Sequence, residues 1–296
     1  MDTAVYWGCM IPTVEYSYEL SLRATMPRIG INLVDLEAFS CCGSAVASMD
    51  LLTADYLALR NVGLAERTGL RFLLVPCNGC YLRMVEALSH WKKDMHLRQE
   101  LKEPLDRENL TLNGSIQMFH TISFLHDVVG YEAIRAAVSR PLRGLKLASH
   151  TGCHLLRPSK LLKVDDAERP VKLDQLIRAL GAEVVDYAEA LDCCGAGLLL
   201  SNSESATSLS AAKLRAVQEL SVDGLIDSCP SCHMMFDAKQ EAGGRATGQR
   251  LSVPVLYYTQ LLGLALGMDQ RALGLHLNMS PVDTLIEKIS VLPQMG

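Results

Sequence analysis

All ten cysteines of this 296-residue chain fall into one pattern, written twice. The first copy is Cys9, then Cys41-Cys42-Gly43, then Cys77-Asn78-Gly79-Cys80. The second is Cys153, then Cys193-Cys194-Gly195, then Cys229-Pro230-Ser231-Cys232. Thirty-four residues separate the double cysteine from the Cys-x-x-Cys in both copies, and no cysteine is left over. A fold for this chain must therefore gather five thiols twice. That pattern reads as two sites of five sulfur ligands and not as core packing.

Alignment of the halves on their cysteines brings short apolar runs into register. Ala4-Val5-Tyr6-Trp7-Gly8 matches Leu145-Lys146-Leu147-Ala148-Ser149, and each run leads to the first cysteine of its copy. Gly30 to Asp35 matches Gly181 to Asp186, and Phe72 to Val75 matches Gly224 to Asp227. Their length suits strands. Helical patterns lie between them, over Leu51 to Thr68, Leu173 to Leu180, Leu209 to Leu220, Leu82 to Leu88 and Met234 to Lys239. Ile116 to Val129 and Val253 to Met268 each read as one more strand and helix. Lys92 to Asn113 is the most polar segment, an exposed helix pair or an insertion loop.

Strands alternating with helices predict an α/β fold in which each half is a small parallel sheet with helical cover. A twofold repeat is a duplicated domain, whereas a solenoid needs three or more units. The halves are expected over residues 1–143 and 144–296, related by pseudo-two-fold symmetry. The junction is Ser139-Arg140-Pro141-Leu142-Arg143-Gly144.

Composition narrows the class. Hydrophobic residues make up 49% of the chain, enough to fill two cores without covalent staples. The N-terminus lacks the pattern of a secretory leader. The most apolar run, Val255 to Met268, is interrupted by Thr259 and Gln260 and falls short of the roughly 20 residues that span a bilayer. A cytoplasmic protein is expected, where Cys-x-x-Cys pairs bind metal or do redox work more often than they form structural disulfides. A net charge of −5 argues against nucleic acid as the partner.

In parallel α/β sheets, ligands collect beyond the C-terminal ends of the strands, and there the three cysteine segments of each half converge. Helix N-termini nearby favour thiolate. Gly43, Gly79 and Gly195 are expected to let backbone wrap closely around a bulky ligand. A single zinc ion takes four ligands and leaves the fifth thiol without a role. A cubane [4Fe–4S] cluster also takes four, in a compact run that this chain lacks. Five thiols including a vicinal pair point to an unusual cluster, with zinc or a partial cluster in one half as the alternative.

The motifs resemble the cysteine-rich CCG domain. Two such domains without a ferredoxin segment resemble the B-type (HdrB-like) family of heterodisulfide reductase subunits, over about residues 4–268. Cys-Cys-Gly stands in both copies here, whereas many relatives have Cys-Cys-Pro in the first. The resemblance implies a noncubane [4Fe–4S] cluster in each half. The first would be held by Cys9, Cys41, Cys42, Cys77 and Cys80, and the second by Cys153, Cys193, Cys194, Cys229 and Cys232. It also implies an iron–sulfur catalytic subunit that reduces or forms a substrate disulfide, each cluster handling one electron and one sulfur.

The implied partners are a ferredoxin-like subunit of the C type and a flavin-containing subunit of the A type. The alternative is an electron-relay subunit in the oxidation of lactate, glycolate, glycerol-3-phosphate or succinate.

Outside the cysteines, His154 and His150 flank Cys153 and are candidates to protonate a product thiolate, and His233 stands similarly beside Cys232. Arg157, Lys160 and Lys163 could hold an anionic substrate, although a solvated basic edge is the commoner outcome. His120 and His126 read as core or helix-end residues. The amphipathic stretch Pro281 to Gly296 either docks on a partner or packs on its own domain.

Overall fold

The computed structural model describes residues 1–291. Its strands form two four-stranded, wholly parallel sheets. The first holds β1 (Asp2–Val5), β2 (Asn32–Asp35), β3 (Phe72–Leu74) and β4 (Gln117–Phe119) in the order β2-β1-β3-β4. The second holds β5 (Lys146–His150), β6 (Glu183–Val184), β7 (Gly224–Asp227) and β8 (Val255–Tyr257) in the order β6-β5-β7-β8. The two orders are the same, as a duplicated α/β architecture requires. Every residue of β3 and of β7 is buried, in keeping with central strands covered on both faces.

The helix after each double cysteine is fixed by a side-chain cap at equivalent positions. Asp50 Oδ1 accepts from Thr53 N at 3.0 Å to start the Leu51–Glu66 helix. Asn202 Oδ1 accepts from Ser205 N at 3.0 Å to start the Ser203–Glu219 helix. Each cap satisfies one of the free amides of a helix start and contributes about 1 kcal/mol. The second helix begins six residues before the apolar pattern announces it. Its first turns are Ser-Glu-Ser-Ala-Thr-Ser, which carry no apolar period; the cap sets the start.

Both Cys-x-x-Cys motifs are themselves first turns of helices. The Asn78–Lys93 helix starts directly after Cys77, and the Pro230–Phe236 helix directly after Cys229. The polar segment after residue 92 is a helix, Met95–Arg107, capped by Asp94 and anchored by buried Leu101 and Leu105.

The hydrophobic core crosses the junction. One cluster runs from Ala4 and Leu73 through Leu145 and Leu176 to Leu261 and Ile289, and a smaller one surrounds Leu214, Leu225 and Phe236. The Tyr16–Arg28 helix of the first half packs on the Tyr258–Ala265 helix of the second. There Ser21 Oγ and Thr259 Oγ1 share a hydrogen bond of 2.7 Å. The C-terminal stretch packs on its own chain through the Asp283–Ser290 helix, whose Leu285 and Ile289 are buried in the larger cluster. Each such burial contributes about 1.5–3 kcal/mol. Residues 292–296 of that stretch lie outside the described residues.

Candidate metal centres

The topology delivers the thiols. In each sheet the central strands end at the same edge, so Cys9 and Cys77 follow β1 and β3 there, and Cys153 and Cys229 follow β5 and β7. The double cysteines enter from the loops after β2 and β6. Gly43 and Gly195 both sit at φ +86°. A Cβ on Gly43 would lie 2.5 Å from Ala54 O, and one on Gly195 would lie 2.3 Å from Ala206 O. Both the backbone conformation and the space therefore demand glycine. The close approach is to the backbone of the following helix, not to a ligand as the sequence suggested. At Gly79 a Cβ would meet its nearest neighbour, His154 Nδ1, at an ordinary 3.7 Å.

Within the first nest Cys42 takes a hydrogen bond from Cys80, which holds its thiol below the ordinary range, to about 6, with help from Ser44. Cys80, between Cys42 and Cys77, is pushed up in return. Burial, with Cys41, Cys42 and Cys77 facing it, raises Cys9. The second nest repeats the scheme: hydrogen bonds from Cys193 and Cys232 lower Cys194, and Cys194 and Cys229 raise Cys232. In both, the second cysteine of the vicinal pair is lowered, and in the first nest Cys77, which also takes a hydrogen bond from Cys80, is lowered with it. All ten thiols are free.

The five thiols of the first nest line one cavity of about 370 Å³. The five sulfurs are spread around the wall of that cavity. The donor set is soft thiol throughout. Arg83 also lines the cavity, and its buried Nε has no partner among the described protein atoms. These features fit a polynuclear iron–sulfur group better than a mononuclear zinc ion. A larger hollow of about 790 Å³, lined by Arg140, Met268 and Ile286, contains no cysteine.

Both nests abut one seam between the halves. Asn78, inside the first Cys-x-x-Cys, donates from Nδ2 to Thr151 O at 2.9 Å, two residues before Cys153. Ser231, inside the second, donates from Oγ to Met10 Sδ at 3.3 Å, beside Cys9. His154 and Ser231 of the second half line the cavity of the first. Tyr18 stacks on Tyr257 at 4.1 Å and Tyr257 on His233 at 3.8 Å, which binds the seam with an aromatic column. Such stacking adds about 0.5–1.5 kcal/mol per pair beyond area burial.

The sequence-predicted residues separate clearly. His154 is exposed and faces the first-nest cavity. Arg157 and Lys160 are exposed and do not line it; Arg157 reaches the carbonyl of Ala167 at 3.5 Å. Lys163 is a left-handed residue that ends the short Ser159–Leu162 helix. His120 is buried, donates to Pro76 O at 2.9 Å and fixes the approach to Cys77. His126 pairs at the surface with Asp127 and Gln175. Burial opposes charge on His233, but Asp227, Asp237 and Glu15 outweigh it and raise this histidine to about 9. Burial lifts Glu15 itself to about 7 and Asp227 to about 6.

Lys213 was not legible as a site residue. It is 1% exposed, with Nζ 2.8 Å from His150 Nδ1 and 2.9 Å from Ala190 O. His150 Nε2 lies 3.3 Å from Cys232 Sγ. The one signal in the sequence is the repeat: Lys213 falls nineteen residues after Cys194, where the first half has Asn61 after Cys42.

Comparison with known proteins bears on this geometry. The family model of the CCG cysteine-rich domain matches residues 3–85 and 147–237. The chain is 36% identical to the B-type subunit of the ferredoxin/F420H2-dependent CoB-CoM heterodisulfide reductase of Methanosarcina acetivorans, over 93% of this chain and 92% of that protein. It is 30% identical to the 8-methylmenaquinol:fumarate reductase membrane anchor subunit of Wolinella succinogenes, over 94% and 96%. A hypothetical protein from Helicobacter pylori shares the fold, with a TM-score of 0.74 at 15% identity over 94% of this chain, which spans about half (51%) of that structure.

Proposed function

We propose, for a chain that belongs to the cysteine-rich CCG family and to its B-type heterodisulfide reductase members, that the two nests work as a pair on one disulfide. The reaction takes two electrons and two protons and converts R–S–S–R′ into RSH and R′SH. The same site run backwards would join two thiols. A noncubane [4Fe–4S] cluster in each nest would supply the electrons one at a time. Cys9, Cys41, Cys42, Cys77 and Cys80 would hold one, and Cys153, Cys193, Cys194, Cys229 and Cys232 the other.

One observation carries this reading: the two Cys-x-x-Cys loops lie on the same seam, each touching the segment of the other half's first cysteine. A substrate lying along that seam meets both nests. The remaining residues then have definite work. His154, exposed at the rim of the first-nest cavity, would give a proton to a leaving thiolate. Arg157 and Lys160, exposed on the same segment, would hold an anionic end of the substrate.

No helix among the described residues is long and apolar enough to cross a membrane. Electrons would come from a ferredoxin-like subunit of the C type, with a flavin-bearing subunit of the A type behind it, in a cytoplasmic complex. The second unit of the duplication would begin at residue 144. A second reading is a relay subunit, favoured by the 30% identity to the Wolinella subunit. Anaerobic assay with a disulfide and an artificial electron donor separates the two. Turnover by this chain supports catalysis at the seam, and electron passage without disulfide turnover supports the relay.

A further inference from the structure

The walls behind the two nests differ in charge at equivalent positions. Three residues before its first cysteine the second half has His150, and the first half has Tyr6. Lys213 of the second half corresponds to Asn61 of the first. A protonated lysine can only donate, so its contact with His150 Nδ1 makes that nitrogen the acceptor and places the ring hydrogen on Nε2. That hydrogen is directed at Cys232 Sγ, 3.3 Å away. The result is a donor chain, ammonium to imidazole to the Cys232 sulfur. It lies wholly buried between the rings of Tyr187 and Phe236, which stand 5.7 and 6.0 Å from the ammonium. Its hydrogen-bond partners are a carbonyl and His150, not a carboxylate.

In the first half the same places hold neutral groups that bind backbone. Tyr6 Oη donates to Ser40 O at 2.8 Å, and Asn61 Nδ2 donates to Ser40 O at 3.2 Å and Cys41 O at 3.1 Å. The first nest has its own cation in Arg83, but that guanidinium pairs with both Asp55 and Glu86. Its positive charge is therefore met twice over.

Adding an electron makes a thiolate-held group more negative. Donors to its sulfurs and a nearby positive charge with no hydrogen-bonded carboxylate favour that state, the more so in a low-dielectric interior. We propose that Lys213, acting through His150, makes the second nest the more electron-accepting of the two, so that the centres are reduced in a fixed order, second before first. Lys213 and His150 are positioning residues here, since they act on the bound group through Cys232. The inference rests on the iron–sulfur reading above.

The test is a redox titration of the anaerobic full-length chain, followed by EPR, with dithionite as the one-electron donor. Cys41→Ala and Cys193→Ala leave the second and the first centre, respectively, to be titrated alone. The second centre is expected to be reduced with an equilibrium constant at least about tenfold larger, a gap of about 59 mV for one electron.

Lys213→Gln should close most of that gap by moving the second centre alone, and Lys213→Arg should restore it in part. If Lys213→Gln fails to load its nest, the two single-nest variants still decide the order. Equal potentials, or a first centre easier to reduce, would overturn the ordering. Absence of iron from the parent protein would instead overturn the reading on which it rests.

Discussion

In both halves a glycine at φ +86° follows the double cysteine and presses on helix backbone, at Ala54 in one half and Ala206 in the other. Both loops lead to a capped helix, through Asp50 and Asn202 at equivalent positions. Behind those loops the halves part. Neutral Tyr6 and Asn61 brace the first against backbone, whereas buried His150 and Lys213 face Cys232 in the second. The duplication has kept what the cage of sulfurs needs in order to form and has varied what sets its charge. Matching loops with unlike walls are what the proposed order of the two centres rests on.

The largest effects should come from removing ligands. Cys41→Ala and Cys193→Ala should each lose about half of the bound iron and essentially all disulfide turnover, because one nest can supply only one electron. Iron analysis alongside steady-state assay checks this, and a variant with half the iron and the parent rate would break the pairing of the nests.

Next come the loops that the halves share. Gly43→Ala and Gly195→Ala each add a Cβ within 2.5 Å of a carbonyl at a left-handed position, so each should cost on the order of 1–3 kcal/mol. The two losses should be alike, read as thermal stability and iron retention. A large loss in one half and none in the other would show that the loops are not equivalent.

A third comparison uses Glu15, which the first half lends to the wall of the second through its 2.7 Å hydrogen bond from Tyr257 Oη. Burial raises its carboxyl from 4.5 to about 7, so the folded chain holds a proton there that the unfolded chain releases. Stability from this group is present below about pH 4.5 and is lost as pH rises to about 7, with a slope of at most about 1.4 kcal/mol per pH unit. Glu15→Gln should remove that slope in urea melts taken across the window. An unchanged slope would place the titration elsewhere.

The smallest effect belongs to the caps. Asp50→Ala and Asn202→Ala should each lose about 1 kcal/mol in urea melts, with equal losses in the two halves.

Much of this molecule was legible in its sequence. The cysteine register alone identified the repeat, because ten thiols at matched spacing leave few ways to assemble. The strands followed from apolar runs before each cysteine, and parallel sheets follow from strands that alternate with helices. Helix starts were less legible. The Ser203–Glu219 helix opens on polar residues, and the Cys-x-x-Cys turns hide their helical character behind cysteine, glycine and asparagine.

The reason for Cys-Cys-Gly was misread, since the sequence cannot show that Ala54 and Ala206 occupy the space a Cβ would need. Lys213 escaped because a lysine on an amphipathic helix reads as solvated. Only its register with Asn61 marks it as buried. Glu15 escaped because its burial depends on Tyr257 of the neighbouring half, which local pattern does not reveal, and Asp227 because an acid ending a central strand reads as its solvated tip although it lies buried beside His233.

The claim that a substrate sulfur meets these nests is most directly tested by EPR of the oxidised protein, prepared anaerobically with and without a thiol enriched in the magnetic isotope of sulfur. A paired-nest site predicts a paramagnetic signal that depends on the thiol, broadens with the labelled sulfur and is lost in Cys193→Ala or Cys41→Ala. A signal that is indifferent to thiol and to the label would contradict it.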